Sequence, residues 1–163
     1  MENQDQALAD TVKRYLRSVF ALVLYLAKCS EGAAYQLTLA GFLDAVRQTP
    51  EAGEGLFVKA LLQTVIQQCR KAAPTPFPAD PEFLRLLEVK KITLPLVRQA
   101  LFSLDFNPRA LLLLRDQLNI SYEDIGVILG LTPKTAKSEA SAARTQLREK
   151  MGEVLSRARG QGR

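Results

Sequence analysis

The chain has 163 residues, 47% of them hydrophobic, which is enough for one ordinary domain or two small ones with packed cores. It carries 22 Lys+Arg against 17 Asp+Glu, and its only candidate metal or disulfide ligands of the soft kind are the widely separated Cys29 and Cys69, with no histidine at all, so neither a zinc site nor a disulfide framework is expected. The longest wholly apolar runs, such as Ala110 to Leu114, fall far short of the ~20 residues a membrane span needs, and the N-terminus is polar, so the sequence predicts a soluble cytoplasmic protein with no membrane partner.

From the N-terminus, Leu8 to Lys28 shows a broad apolar stripe at helical period, through Val12, Leu16, Val19, Val23 and Leu26. A break at Cys29 to Gly32 leads into Ala33 to Arg47, where Ala34, Leu37, Phe42, Leu43 and Val46 resume the period up to Pro50. The loop PEAGEG then separates a third helical run, Leu56 to Lys71, whose Leu56, Phe57, Leu61 and Val65 repeat in the same way. Three antiparallel helices sharing a core are the economical arrangement. The stretch AAPTPFPADP follows, with four prolines in ten positions, and proline fixes φ and removes donors, so it reads as a stiff linker. Helical runs then cover Glu82 to Lys91, Pro95 to Leu104 and Pro108 to Leu118, the last with Asn107 as expected N-cap ahead of a first-turn proline.

The most informative stretch is Asn119 to Arg148. Ser121 stands three residues before Asp124, a short carboxylate where Glu or Gln would complete a capping box, so a helix should start there. Ile125, Ile128 and Leu129 give it one apolar face, and Gly130 can adopt the positive φ that ends it. Thr132 and Pro133 open a second helix almost at once, so the two must cross steeply, with Gly126 and Ala136 small at the crossing and Leu131 beneath the turn. That is the layout of a DNA-reading helix-turn-helix.

Charge agrees with a nucleic-acid partner without proving one. Residues 1–92 hold 11 Lys+Arg and 10 Asp+Glu, residues 93–163 hold 11 and 7, and from Thr132 onward the balance is 8 to 3. A phosphate-contacting surface needs such an excess, although a solvated helix face would show it too. The chain has no GxxxxGK phosphate loop, no GxSxG and no histidine, and the neighbouring acids Glu123 and Asp124 suit a helix first turn better than acid–base work. No enzyme, cofactor, metal or small-molecule substrate is expected.

The segment RALLLLRDQLNISYEDIGVILGLTPKTAKSEASAARTQLRE resembles region 4, the C-terminal DNA-binding region of bacterial sigma-70 family sigma factors, particularly the compact extracytoplasmic-function group. The family's leading Arg falls on Arg109, its Ser-Tyr-acid loop on Ser121, Tyr122 and Glu123, and its Ile-Ala-x-x-Leu-Gly on Ile125, Gly126, Leu129 and Gly130. Thr-Val-Lys-Ser falls on Thr135, Ala136, Lys137 and Ser138, and the closing Ala-Arg and Leu-Arg on Ala143, Arg144, Leu147 and Arg148. The resemblance implies an all-α fold of two small helical domains: a three-helix, region 2-like bundle over 1–73, a Pro-rich linker over 74–81, and a region 4-like helix-turn-helix domain over 82–163. It implies core RNA polymerase and promoter DNA as partners, with the −35 element bound through Lys134, Thr135, Lys137, Ser138, Arg144 and Arg148.

Residues 30–71 resemble region 2 in pattern only. The family's Ala-x-Asp-x-x-Gln-x-x-Phe falls on Ala34, Gln36, Leu39 and Phe42, its Trp-Leu on Ala60 and Leu61, and its Arg-Asn on Ile66 and Gln67. The aromatic and basic groups that stack flipped bases and hold single-stranded phosphates are therefore absent from those positions. In the second helix of the motif, Glu139, Ala140 and Ala142 replace Arg, Leu and Arg; Glu139 could accept from cytosine N4 or repel phosphates. Tyr35, Gln36, Leu39 and Phe42 are the expected polymerase- or anti-sigma-binding residues. The segment SEGAAYQLTLAGFLDAV is also similar to the sigma-like domain of general-stress-response regulators, which sequester an anti-sigma factor, so a sigma mimic that captures an anti-sigma factor without directing promoter melting is the alternative expectation. A dimeric helix-turn-helix repressor is a third.

Overall fold

A computed structural model describes residues 2–50, 52–72 and 94–160. The expected linker over 74–81 and the expected helix Glu82 to Lys91 lie outside the described residues. Every regular element described is helical: α1 (Glu2–Ala27), α2 (Glu31–Gln48), α3 (Glu54–Lys71), α4 (Leu94–Phe102), α5 (Phe106–Leu112), a π-helical turn (Leu113–Gln117), α6 (Tyr122–Leu129) and α7 (Pro133–Gly160). The all-α expectation holds.

Helices α1 to α3 pack as a bundle for the reasons their periodicity gives. Val19, Leu22, Val23 and Leu26 of α1 meet Ala34, Phe42 and Ala45 of α2 and Phe57, Leu61, Val65 and Ile66 of α3 in one buried cluster. Burying a side chain of this size contributes about 1.5–3 kcal/mol, so the cluster dominates the bundle's stability. Chain reversal after α1 is made by Lys28 at φ 52, followed by Ser30, whose hydroxyl accepts from the Ala33 N–H at 3.3 Å. Helices α2 and α3 approach tightly, since a Cβ added to Gly41 would lie 2.5 Å from Val65 Cγ2. Polar bonds flank that crossing: Gln68 Nε2 donates to Asp44 Oδ2 at 3.0 Å and Gln48 Nε2 to Thr64 Oγ1 at 3.4 Å.

Three apolar residues counted toward the core by period are exposed instead: Leu16, Leu43 and Leu56. Their stripes are wider than the neighbouring helices can cover. Cys29 and Cys69 are both buried free thiols, small hydrophobes as their separation suggested, and burial pushes the Cys69 thiol up to about 12.

The buried cluster does not stop at α3. It continues through Leu101 and Leu104, the run Ala110 to Leu114, and Ile125, Ile128, Ala136 and Ala143. Tyr25 of α1 meets Phe102 of α4 with ring centroids 5.8 Å apart, and the Arg98 guanidinium lies over both rings. Between α3 and α6, Lys59 Nζ sits 2.6 Å from Asp124 Oδ1 and Gln63 Nε2 donates to the Val127 carbonyl at 3.1 Å. At the far end of α3, Arg70 donates to Asn107 Oδ1 at 3.2 Å and stacks over the Phe106 ring.

Helix α5 starts two residues earlier than the sequence suggested. Asp105 occupies the N-cap position with extended backbone, and the Asn107 side chain receives Arg70 instead of capping. Pro108 permits either start, because each of the first-turn N–H groups lacks a helical partner anyway. Arg109 is buried and ties the preceding turn together by donating to the carbonyls of Leu104 at 2.9 Å and Phe102 at 3.4 Å. Burial pushes its pKa below the usual arginine value, and the nearby Asp105 opposes that.

Candidate nucleic-acid interface

The helix-turn-helix forms as its local chemistry dictates. The Ser121 hydroxyl accepts from the Asp124 N–H at 3.1 Å and starts α6. Gly130 ends it in the left-handed region at φ 71, and the Leu131 N–H closes the turn onto the Gly126 carbonyl at 2.8 Å. The Thr132 hydroxyl then accepts from the Thr135 N–H at 3.1 Å and starts α7. Gly126 is the tight point, since a Cβ there would lie 2.7 Å from the Leu131 carbonyl oxygen. Helix α7 meets the rest through an alanine seam, Ala136, Ala140 and Ala143, all buried, which lets the helices approach closely.

The π-helical turn sets the register of what holds α7 from behind. It presents Arg115 to the Tyr122 ring at 4.9 Å and to the Ile120 carbonyl at 2.9 Å, and it presents Asp116 to α7. Arg144 binds Asp116 with two bonds, Nε to Oδ2 at 3.1 Å and Nη2 to Oδ1 at 2.6 Å, with the Tyr122 hydroxyl nearby. These partners, Asp116 first, hold the Arg144 pKa above its ordinary value. Asn119 takes a left-handed φ of 54 in the loop that follows, a conformation asparagine tolerates better than most residues. Asp124 is likewise held below the usual carboxylate range by the Lys59 ammonium.

The six residues expected to touch DNA do not share one fate. Lys134, Lys137, Ser138 and Arg148 are exposed on α7. Thr135 is half-buried, and its hydroxyl bonds that of Thr132 at 2.8 Å within the cap. Arg144 is committed to Asp116 rather than pointing free. Sequence reasoning passed over Ser141 and Thr145, which are exposed on the same side as Ser138; the spacing 134, 138, 141, 145, 148 alternates four and three and was legible once the helix was placed. Asp116 carried no signal of its role, because its partner is 28 residues away.

The second expected surface is on α2. Tyr35 is 55% exposed, Leu39 45% and Leu43 50%, an apolar ridge at four-residue spacing with Gln36 exposed beside it. Phe42 is not on that ridge: it is 5% exposed and packs against the Phe57 ring at 6.3 Å. Leu43 takes its place on the outer face.

Residues 95–147 match the family model described as Sigma-70, region 4.

That match spans roughly a third of the chain and includes α4, α5, the π-helical turn, α6 and the first half of α7. It supports a sigma-factor-like, DNA-binding role in transcription for the region 4 segment, and the matched family is one of transcription factors rather than enzymes. No curated protein and no solved structure matches the chain. Among the described residues no group of side chains could hold a metal ion, and no helix is long and apolar enough to cross a membrane.

Proposed function

We propose that the protein is a sigma-factor-like transcription initiation protein of the extracytoplasmic-function type, which acts in the cytoplasm, binds core RNA polymerase and addresses the promoter −35 element with α7. The observation that carries this reading is the exposed side of α7, where Lys134, Lys137 and Arg148 stand free on a helix-turn-helix that matches region 4. Residues 1–73 serve as the region 2-like block, residues 74–81 as the linker and residues 82–163 as the region 4-like block. The ridge Tyr35, Leu39 and Leu43, with Gln36, is the surface offered to the polymerase, since a row of exposed apolar side chains is stabilised by being covered. The test is copurification with core RNA polymerase followed by transcription from a promoter in vitro; the expected result is a protein-dependent, promoter-specific transcript.

One observation favours a second reading. The outer face of α2 is apolar and uncharged from Gly32 to Leu43, without the cations that would hold a melted strand. A sigma mimic that uses this face to capture an anti-sigma factor needs no such cations. Failure to bind core polymerase, together with tight capture of an anti-sigma protein, selects it.

A further inference from the structure

One ridge runs along the exposed face of α7. Stepping by four, three, four and three residues, Lys134, Ser138, Ser141, Thr145 and Arg148 lie above one another, opposite the buried Ala136, Ala140 and Ala143. The ridge is about 21 Å long at 1.5 Å per residue, with a cation at each end and three hydroxyls between. Lys137 flanks it, next to Ser138 and Ser141. On the opposite flank Glu149 borders the ridge beside Thr145, so one acid stands near its C-terminal cation; the other charged or amide groups on this half of α7 lie further round. Arg144 is bound to Asp116. Glu139 lies about 180° around the helix from Arg148, and Gln146, the one amide in residues 133–160, is seven residues further along the Glu139 flank.

Base discrimination in the major groove comes chiefly from Arg or Lys paired with guanine, Asn or Gln paired with adenine, and Glu or Asp accepting from the cytosine amine, with apolar contact to the thymine methyl adding to these. A hydroxyl both donates and accepts and rotates to suit, so it is satisfied by any base edge. Short side chains in the middle also let the helix lie deep, bringing the terminal cations to the phosphates on either side of a groove ≈ 12 Å wide. We infer that α7 holds duplex DNA by its backbone with little sequence discrimination, Lys134, Lys137 and Arg148 meeting phosphates while Ser138, Ser141 and Thr145 face the base edges. This rests on the DNA-binding reading above and refines it: α7 grips the duplex where the −35 element lies but does not itself select its sequence, so the promoter specificity of the transcript has to come from the partner that positions the protein.

The full chain is titrated into fluorescent 30-base-pair duplexes, one taken from sequences enriched out of a random pool and one from the pool itself. The expected preference is within about tenfold, where sequence-specific proteins typically show a thousandfold or more. The logarithm of affinity should fall against the logarithm of salt with a slope near −3, and Lys137→Ala or Arg148→Ala should each reduce the slope by about one. The triple variant Ser138→Ala, Ser141→Ala, Thr145→Ala should keep its affinity within about threefold, because hydroxyls that meet any base edge contribute little net binding. Ser141→Arg should create a preference for guanine-containing duplexes of about tenfold, the discrimination of one bidentate pair. A thousandfold preference by the unaltered protein overturns the inference and leaves DNA binding standing, as does a triple variant that folds but loses more than tenfold in affinity. An unchanged preference in a folded Ser141→Arg variant overturns the placing of Ser141 over the bases. No binding to any duplex at low salt overturns both the inference and the DNA-binding reading.

Discussion

Two glycines, Gly41 and Gly126, stand where a side chain would have no room, and they differ in what it would strike. At Gly41 the obstacle is a methyl group of Val65 on the neighbouring helix; at Gly126 it is the carbonyl oxygen of Leu131, part of the turn itself. A side chain can rotate, or be shortened by a second mutation. A carbonyl in a tight turn moves only if the turn is rebuilt, and here the turn is also held by the Leu131 N–H bonded back to Gly126. The α2–α3 crossing is therefore a packing fit, whereas the α6–α7 crossing is a backbone constraint that defines the helix-turn-helix.

The sharpest way to break this contrast is Gly126→Ala. It should destabilise the protein by about 3 kcal/mol, the upper end for inserting one carbon into a filled space, measured by urea unfolding followed by circular dichroism. Trimming the Leu131 side chain should not restore it, because the obstacle is the main chain. Gly41→Ala should cost less, about 1–2 kcal/mol, and Val65→Ala in the same chain should recover part of that loss in a double-mutant cycle. If both glycines respond alike to trimming of their neighbours, the distinction between side-chain and backbone obstruction fails.

Smaller effects sharpen the comparison on the helix-turn-helix side. Arg144→Ala should lower stability by about 1 kcal/mol, a bidentate pair discounted for its partial exposure, and the swap Asp116→Arg with Arg144→Asp should recover much of it. A DNA-contact role alone would leave stability unchanged and give no recovery. The smallest effect is at α3–α6. Because Lys59 depresses the Asp124 pKa, the pair stabilises the fold above the ordinary Asp value of about 3.9 and loses that contribution as pH falls through the lower folded value. Lys59→Gln should remove under about 1 kcal/mol of this acid-dependent stability, seen as a shallower loss of melting temperature below pH about 4.

The same contrast explains how much was legible beforehand. The junctions of the helix-turn-helix are local: Ser121 and Thr132 cap within three residues, Gly130 needs only its own φ, and each could be read from the chain directly. The helices of the N-terminal bundle were legible by period, yet period counts apolar residues without knowing which neighbour will cover them, so Leu16, Leu43 and Leu56 were assigned inward and stand outward. The π-helical turn had no glycine or proline to announce it, and its product, the Asp116–Arg144 bond, joins residues 28 apart. In the candidate site the resemblance put Lys134, Lys137, Arg144 and Arg148 on one footing, and setting Arg144 apart from the exposed three required the fold.

The length of α7 adds a mechanical consequence. The ridge occupies the first half of one unbroken helix of 28 residues, about 42 Å long, whose second half buries Val154 and which packs along α4. A continuous helix carries the ridge with it, so the packing of its second half also sets the angle of the hydroxyl row at its near end. Within that helix Gly152 is the one interior glycine, with open space around its α-carbon, and any bend would concentrate there.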